Sequence, residues 1–429
     1  MVKLSIRRSD INGKTKCPPS KSYTHRAVFL AALSEGVSRI YDPLISRDTL
    51  STMNACRALG PQVYDEGSSL RIIGSQLKAP DNVIDAENSG TTIRIATSVC
   101  SLVSSGYVVL TGDSSLRTRP MGPLLSSLER MGVECFSTKL DGTPPIVVKG
   151  GGLKGGNVTI NGSISSQFLS SLLIVSVRAT GDVSIAVEGD QVSRPYILST
   201  IASMEKFGIE VERDDELRNF YVKSGKYSPC KFYVPSDLSS ASMLIAAGIL
   251  VGKDRVQLLG LNFDLPQGDS KIFSIIKQMN GKIIMDTTKG ELSVEGAERL
   301  DGGEFDLKDS PDLLPVVSIL SLKAKSPVVI SGISHARFKE TDRVRNITSQ
   351  LRKLGATVSE NYDSISIRPP TILNNASLES FNDHRIFMAL AIASLMTNHS
   401  SLNGAESVDV SYPSFIEDLK IMGANISLS

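Results

Sequence analysis

Polar and apolar positions along this chain repeat at long intervals. A helical stretch ends in Leu, Met or Phe, meets a glycine, and passes at once into a β-like run. It reads CRALGPQV, LERMGVEC, MEKFGIEV, KQMNGKII, LRKLGATV and LKIMGANI, with an asparagine before the glycine in the fourth. The glycines are Gly60, Gly132, Gly208, Gly281, Gly355 and Gly423, spaced 72, 76, 73, 74 and 68 residues apart. Glycine just past the last turn predicts a left-handed C-cap, and the Val, Ile or Cys that follows predicts a strand. These helices are amphipathic: Val344, Ile347, Leu351 and Leu354 make one stripe of TDRVRNITSQLRKLG.

A second helix type alternates with the first. It opens on PPSKSYTHR, ENSGTTIR, GSISSQFL, SDLSSASM, KDSPDLLP and FNDHRIFM, and the Ser, Asp and Asn there are cap residues. Bodies such as FLSSLLIVSV and FMALAIASLM are apolar or small nearly all round, which predicts burial. VVLTGD, PIVVKG, NVTING, VSIAVEG, KFYVP, VQLLG and PVVISG read as strands. The chain is thus an α/β protein of about six copies of one unit, each with a buried helix, a half-exposed helix and short strands. Solenoid repeats are usually shorter and need polar end caps, so two globules of three copies fit better. No low-complexity linker is visible, and tight crossings are expected near Cys17 and Val234–Ser236. The expected domains are 1–16 plus 235–429, carrying both termini, and an inserted 17–234.

With 46 Lys plus Arg against 45 Asp plus Glu, the net charge is +1. That balance argues against a general nucleic-acid binder, so any anion site must be a local concentration of cations. The five cysteines, Cys17, Cys56, Cys100, Cys135 and Cys230, lie far apart without metal spacing, as free thiols in a reducing compartment do. MVKLSIRRSD has no apolar leader core. Apolar runs such as ASMLIAAGILVG fall short of the roughly 20 residues a membrane span needs. A cytoplasmic protein without membrane segments is expected.

Cations sit where the helix physics disfavours them. PPSKSYTHR puts Lys21 and Arg26 in the first turns of a helix, whose N-terminus carries partial positive charge. An anion between them would remove the conflict. If Lys21 were only a solvated charge, its removal would leave stability unchanged or slightly raised. Similar helix starts carry Gly90 and Arg94 in NSGTTIR, Ser165, Ser166 and Gln167 in SSQ, Asp312 in SPDLLP, and Asn382, Asp383, His384 and Arg385 in NDHR. LRTRP (Arg117, Arg119) and RFKETDR (Arg337, Lys339, Glu340, Asp342, Arg343) lie between them. Each alone has a bland reading as a cap, a turn glycine or a solvated charge. Together, free N–H groups and cations at repeated helix starts make anion cradles.

KSxxxR at Lys21, N-x-G-T with Arg94, RP at 119–120, SSQ at 165–167, S-x-P-Y from Ser193 to Tyr196, PD at 311–312, KETDR at 339–343 and NDHR at 382–385 resemble, in order and over nearly the whole chain, the motif series of the 5-enolpyruvylshikimate-3-phosphate synthases (3-phosphoshikimate 1-carboxyvinyltransferases), a family of enolpyruvyl transferases. The resemblance implies two similar globular domains of three βαβαββ-type repeats, an inside-out α/β barrel with buried helices and sheets outside, and an active site in the cleft between them. It implies transfer of the enolpyruvyl group of phosphoenolpyruvate to shikimate 3-phosphate, on the route to chorismate and the aromatic amino acids. Shikimate 3-phosphate would be held by Lys21, Ser22, Arg26, Ser165, Ser166, Ser193, Tyr196, Asp312 and Lys339, and phosphoenolpyruvate by Lys21, Gly90, Arg119, Gln167, Arg343 and Arg385. Asp312 would take the hydroxyl proton; Glu340, with Lys339 and His384, would deliver a proton to carbon; Lys21 would join these as a catalytic residue, within a cluster of Arg and Lys that stabilises charge as phosphate departs. No metal, no cofactor and no partner beyond the two substrates is implied, and a monomer suffices.

The chain departs from the family pattern in places. Val410 and Ser411 stand before the Tyr-Pro pair where many relatives carry a lysine. His335 replaces a common Asn, and Ser89 a common Ala. A sister enzyme, UDP-N-acetylglucosamine enolpyruvyl transferase, typically has a cysteine in the loop that reads GDSSLRTRP here. A non-catalytic anion-binding repeat protein would not need Asp312 and Glu340 beside the cations.

Overall fold

The computed structural model describes residues 2–428. The chain divides into two compact units: an inner one, Pro19–Pro235, and an outer one made of the residues up to Pro18 and from Ser236 onward. The fold is mixed α/β. Among the described residues, twelve α-helices run in chain order as α1 Lys21–Leu33, α2 Arg47–Ala58, α3 Gly90–Cys100, α4 Gly122–Arg130, α5 Ser166–Ser176, α6 Arg194–Lys206, α7 Leu238–Val251, α8 Lys271–Gln278, α9 Leu314–Leu320, α10 Arg343–Lys353, α11 His384–Ser394 and α12 Phe415–Ile421. None is long and apolar enough to cross a membrane.

Each unit contains three open four-stranded sheets built to one plan. In the inner unit the orders are Lys231–Tyr233, Gly36–Tyr41, Ser69–Gly74, Gln62–Asp65; then Ile84–Asp85, Tyr107–Thr111, Ile146–Lys149, Cys135–Ser137; then Gly156–Asn161, Val183–Glu188, Asn219–Val222, Val211–Arg213. The first pair of each is parallel and the other two antiparallel. A parallel pair needs a long crossover, which a helix supplies, whereas an antiparallel pair needs only a tight turn. In the outer unit Ile11–Lys16 pairs parallel with Gly252–Leu259, Gly303–Asp306 with Val328–Ser331, and Ser377–Glu379 with His399–Asn403. In that last sheet the N-terminal strand Lys3–Arg7 takes the third place, pairing with Asn425–Leu428.

The two helix types differ as the pattern of apolar positions predicts. All fourteen residues of α7 and all eleven of α11 are buried, and α7, α9 and α11 pack on one another in the outer core. The α10 stripe of Val344, Ile347, Leu351 and Leu354 is fully buried, with the remaining face polar. Five of the six repeat glycines take the left-handed conformation expected of them. The fourth does not: Asn280 has φ +60 and Gly281 has a negative-side backbone. Asparagine tolerates that region because its short polar side chain bonds locally. Gly281 serves another end, since a Cβ there would stand 2.8 Å from Ile276 Cγ2.

The backbone passes between the units at two neighbouring points. Ser20 N–H donates to Pro235 O at 2.7 Å within the inner unit, and Asp237 N–H to Pro18 O at 2.8 Å within the outer one.

Candidate active site

The buried helices begin on side-chain caps. Ser20, Ser89, Ser165, Asp237 and Asp383 each accept a backbone N–H of the helix they open. α9 differs, starting through a 3-10 turn, Pro311–Leu313, with no side-chain cap. Around these starts lie the residues singled out from the sequence, in a group within each unit.

In the inner unit, Lys21 Nζ donates to Asp48 Oδ2 at 2.9 Å, and both side chains are nearly buried. The cation at this helix start therefore has a carboxylate beside it. Asp48, in the first turn of α2, was not recognised from the sequence, where it reads as an ordinary acid near a cap. Arg26 is 2 % exposed. Its Nε donates to Thr200 Oγ1 at 2.8 Å, Nη1 to Ser22 O at 2.9 Å and Nη2 to Tyr196 O at 3.0 Å. Burial pushes it down to about 10. Ser22 and Tyr196 thus meet Arg26 through their carbonyls. Ser193, just before α6, holds a left-handed backbone at φ +56, a conformation that costs a non-glycine residue.

Gly90 opens α3 where three polar side chains converge. A Cβ there would come within 3.1 Å of Arg119 Nη1, 3.5 Å of Arg94 Nη1 and 3.8 Å of Gln167 Oε1. Arg94 Nη1 donates to Gln167 Oε1 at 2.6 Å, and Gln167 Nε2 to Thr91 Oγ1 at 2.9 Å. Arg119 Nη2 donates to Asn88 Oδ1 at 2.8 Å, and Asn88 in turn to Asp113 at 2.7 Å. Ser165 caps α5 and Ser166 is its first residue, buried beside Gln167.

In the outer unit Arg343 is the hub. It is 1 % exposed and makes three ion pairs: Nη1 to Asp312 at 2.7 Å, Nη2 to Glu340 at 2.6 Å and Nε to Asp383 at 2.7 Å. Burial opposes its charge, but Asp383, Glu340 and Asp312 outweigh that and raise its pKa. Arg385 Nη2 donates to the other oxygen of Asp312 at 2.9 Å and contacts Ser239. Burial works to raise the Asp312 carboxyl, but Arg385, Lys339 and Arg343 hold it well below the usual carboxylate range. Lys339 follows the short turn Ser334–Phe338, and His384 is a buried first residue of α11. His335 is buried too: burial first, then Lys339, pushes it down to about 4. Arg337, from the same charged run, points elsewhere, pairing with Asp342 and Glu360. Ser411, at the position of the absent lysine, is buried.

The arrangement places two carboxylates, Asp312 and Glu340, on one guanidinium, with Arg385 on the first of them. Such a cluster can bind anions and move protons. A family model described as EPSP synthase (3-phosphoshikimate 1-carboxyvinyltransferase) matches residues 6–419. Among similar curated proteins, the 3-phosphoshikimate 1-carboxyvinyltransferase of Methanocaldococcus jannaschii is 42% identical over 433 residues, covering all of both chains. That of Nitrosopumilus maritimus is 41% identical over 99% of each. Among solved structures, an EPSP synthase from Acinetobacter baumannii superposes with a TM-score of 0.83 at 26% identity over the full length of both chains. The enolpyruvyl transferase NikO from Streptomyces tendae, at 16% identity and a TM-score of 0.79, covers 100% of this chain and 99% of its own and shares the fold.

Proposed function

Since the chain belongs to the EPSP synthase (3-phosphoshikimate 1-carboxyvinyltransferase) family, we infer that it transfers the carboxyvinyl group of phosphoenolpyruvate to the 5-hydroxyl of shikimate 3-phosphate and releases phosphate. The observation that carries this reading is the Arg343 hub, which joins Asp312 and Glu340 at one point and adds Arg385 to the first.

In the reaction the 5-hydroxyl oxygen attacks C2 of phosphoenolpyruvate while C3 gains a proton, giving a tetrahedral ketal phosphate. That intermediate loses phosphate and a C3 proton, restoring the double bond. Asp312 takes the hydroxyl proton. Glu340, assisted by Lys339 and His384, delivers the proton to C3 and takes one back. A carboxylate held so far below its usual range is a weak base. Anionic substrate that engages Arg343 and Arg385 relaxes that hold and restores its basicity. General acid–base help of this kind contributes roughly 10²–10⁴-fold.

Arg343 and Arg385, with Lys21, Gly90, Arg119 and Gln167, hold phosphoenolpyruvate; planar guanidinium suits carboxylate and phosphate alike. Lys21, Ser22, Arg26, Ser165, Ser166, Ser193, Tyr196, Asp312 and Lys339 hold shikimate 3-phosphate. The fully buried α7 and α11 of the outer unit, and the largely buried α1, α3 and α5 of the inner one, support the inside-out arrangement of helices within and sheets without. Five free cysteines agree with a reducing cytoplasm, where the chain acts as a monomer.

The test is phosphate release. Shikimate 3-phosphate and phosphoenolpyruvate together should release phosphate, and neither alone should. Release with UDP-N-acetylglucosamine in place of shikimate 3-phosphate would instead select the sister activity.

A further inference from the structure

Asp383 is fully buried, and its two oxygens do different work. Oδ1 accepts the backbone N–H groups of Arg385 at 2.8 Å and Ile386 at 3.3 Å, capping α11. Oδ2 accepts Arg343 Nε at 2.7 Å. One carboxylate therefore fixes the backbone of Arg385 and the side chain of Arg343. Binding Arg343 through Nε locks the plane of its guanidinium and leaves the Nη1 and Nη2 ends toward Asp312 and Glu340. The turn that delivers Asp383 is strained: Phe381 and Asn382 both have left-handed backbones, at φ +55 and +57. Asparagine tolerates that region but phenylalanine rarely adopts it, and such strain gathers where position matters for function.

We propose that Asp383 is a positioning residue for phosphoenolpyruvate, setting the orientation of both Arg343 and Arg385 through its two oxygens. This rests on the reading that those arginines hold phosphoenolpyruvate. Asp383 itself is sealed behind them and acts only through them.

The electrostatics give the proposal a sign. If Asp383 acted only as a negative charge near an anion site, neutralising it would tighten anion binding. If it acts by aiming two cations, neutralising it weakens binding despite the extra positive charge. Asp383→Asn separates the two. Asparagine offers one acceptor oxygen where two are needed, so it keeps the cap or the Arg343 bond but not both.

The experiment measures KM for each substrate in the wild type, Asp383→Asn, Arg343→Gln and the double variant. Where turnover is too slow, the phosphoenolpyruvate-induced rise in Tm with shikimate 3-phosphate present replaces KM. Expected is a rise in KM for phosphoenolpyruvate of about 10-fold or more in Asp383→Asn, as for a lost hydrogen bond to a charged group, with that for shikimate 3-phosphate within about twofold. In the Arg343→Gln background most of that effect should disappear, because the two act through one contact. A merely structural residue would lower Tm and shift both substrates, and its effect would add to that of Arg343→Gln. An unchanged or lower KM for phosphoenolpyruvate, or full additivity, overturns the proposal. A wild type that releases no phosphate overturns the functional reading and this assignment together; an active wild type with an unmoved Asp383→Asn overturns the assignment alone. Should the Asn variant lack a cooperative thermal transition, Asp383→Ser, which retains one capping oxygen, takes its place in the same cycle.

Discussion

Lys21 shows what a partner does to an argument about one charge. Read as a lone cation at a helix start, its loss should relieve repulsion and leave the empty protein as stable or slightly more so. The 2.9 Å pair with nearly buried Asp48 reverses that expectation. Removing the lysine takes a charged hydrogen bond from a carboxylate with little water around it, which costs about 1–3 kcal/mol. Lys21→Ala should therefore lower Tm without ligand, and adding Asp48→Asn should recover part of the loss. The rise in Tm given by shikimate 3-phosphate should largely vanish in the single variant, because stabilisation follows affinity. Thermal melts with and without ligand decide it; an unchanged Tm in Lys21→Ala would show that Asp48 does not depend on this lysine.

At the scale of elements, the glycine after each amphipathic helix divides into two cases. At Gly60, Gly132, Gly208, Gly355 and Gly423 the backbone is left-handed, so a side chain is strained whatever the space. At Gly281 the strain has moved to Asn280, and the constraint is contact with Ile276. Gly281→Ala should lose about 1–3 kcal/mol by overpacking, while Asn280→Gly should change little or stabilise slightly. Denaturant unfolding of both variants tests the division: a harmless Gly281→Ala, or a costly Asn280→Gly, would contradict it. The repeat itself was legible in the sequence because a cap, a glycine and an apolar stripe are short-range signals. The pairs Lys21–Asp48, Arg26–Thr200 and Arg343–Asp383 were not, being 27, 174 and 40 residues apart. Periodicity says which face of a helix is buried, but not which distant side chain meets it. Gly90 lay between these cases: the sequence shows a glycine at a helix start near cations, but not that Arg119, Arg94 and Gln167 crowd the place of its missing Cβ.

For the molecule as a whole, the response to acid draws on two buried histidines, His25 in the inner unit and His335 in the outer one. His25 lies fully buried in α1, donating to or accepting from Thr52 at 2.7 Å, and burial, then Lys21 and Arg26, holds it well below the ordinary histidine value. His335 is pushed down to about 4. As pH falls below about 6.5 the unfolded chain protonates these side chains and the folded chain does not. Stability therefore falls on acidification, for His335 from about pH 6.5 until pH reaches about 4. Its share approaches about 3 kcal/mol at the lower end. Asp312 acts in a separate window: its depressed carboxyl stabilises the fold above about pH 4 and loses that effect only below it. Tm measured from pH 7 to 4 should fall in the wild type and fall less in His335→Asn. Equal slopes would remove His335 from the account.

The two adjacent backbone passages also fix an order of events at the ribosome. Lys3–Arg7 finds its neighbours only at His399–Asn403 and Asn425–Leu428, and Ile11–Lys16 only at Gly252–Leu259. The inner unit is complete once Lys231–Tyr233 reaches Gly36–Tyr41. Synthesis at about 5–20 residues per second leaves Ile11–Lys16 waiting roughly 10–50 s for Gly252–Leu259, and Lys3–Arg7 roughly 20–80 s for His399–Asn403. Once Lys231–Tyr233 is made, and until His399–Asn403 follows, the nascent chain carries a finished globule behind an N-terminal strand, Lys3–Arg7, that has no partner yet. Unpaired strand edges are what chaperones hold and what aggregation recruits, so the first sixteen residues are the part of this protein most dependent on the cell that makes it.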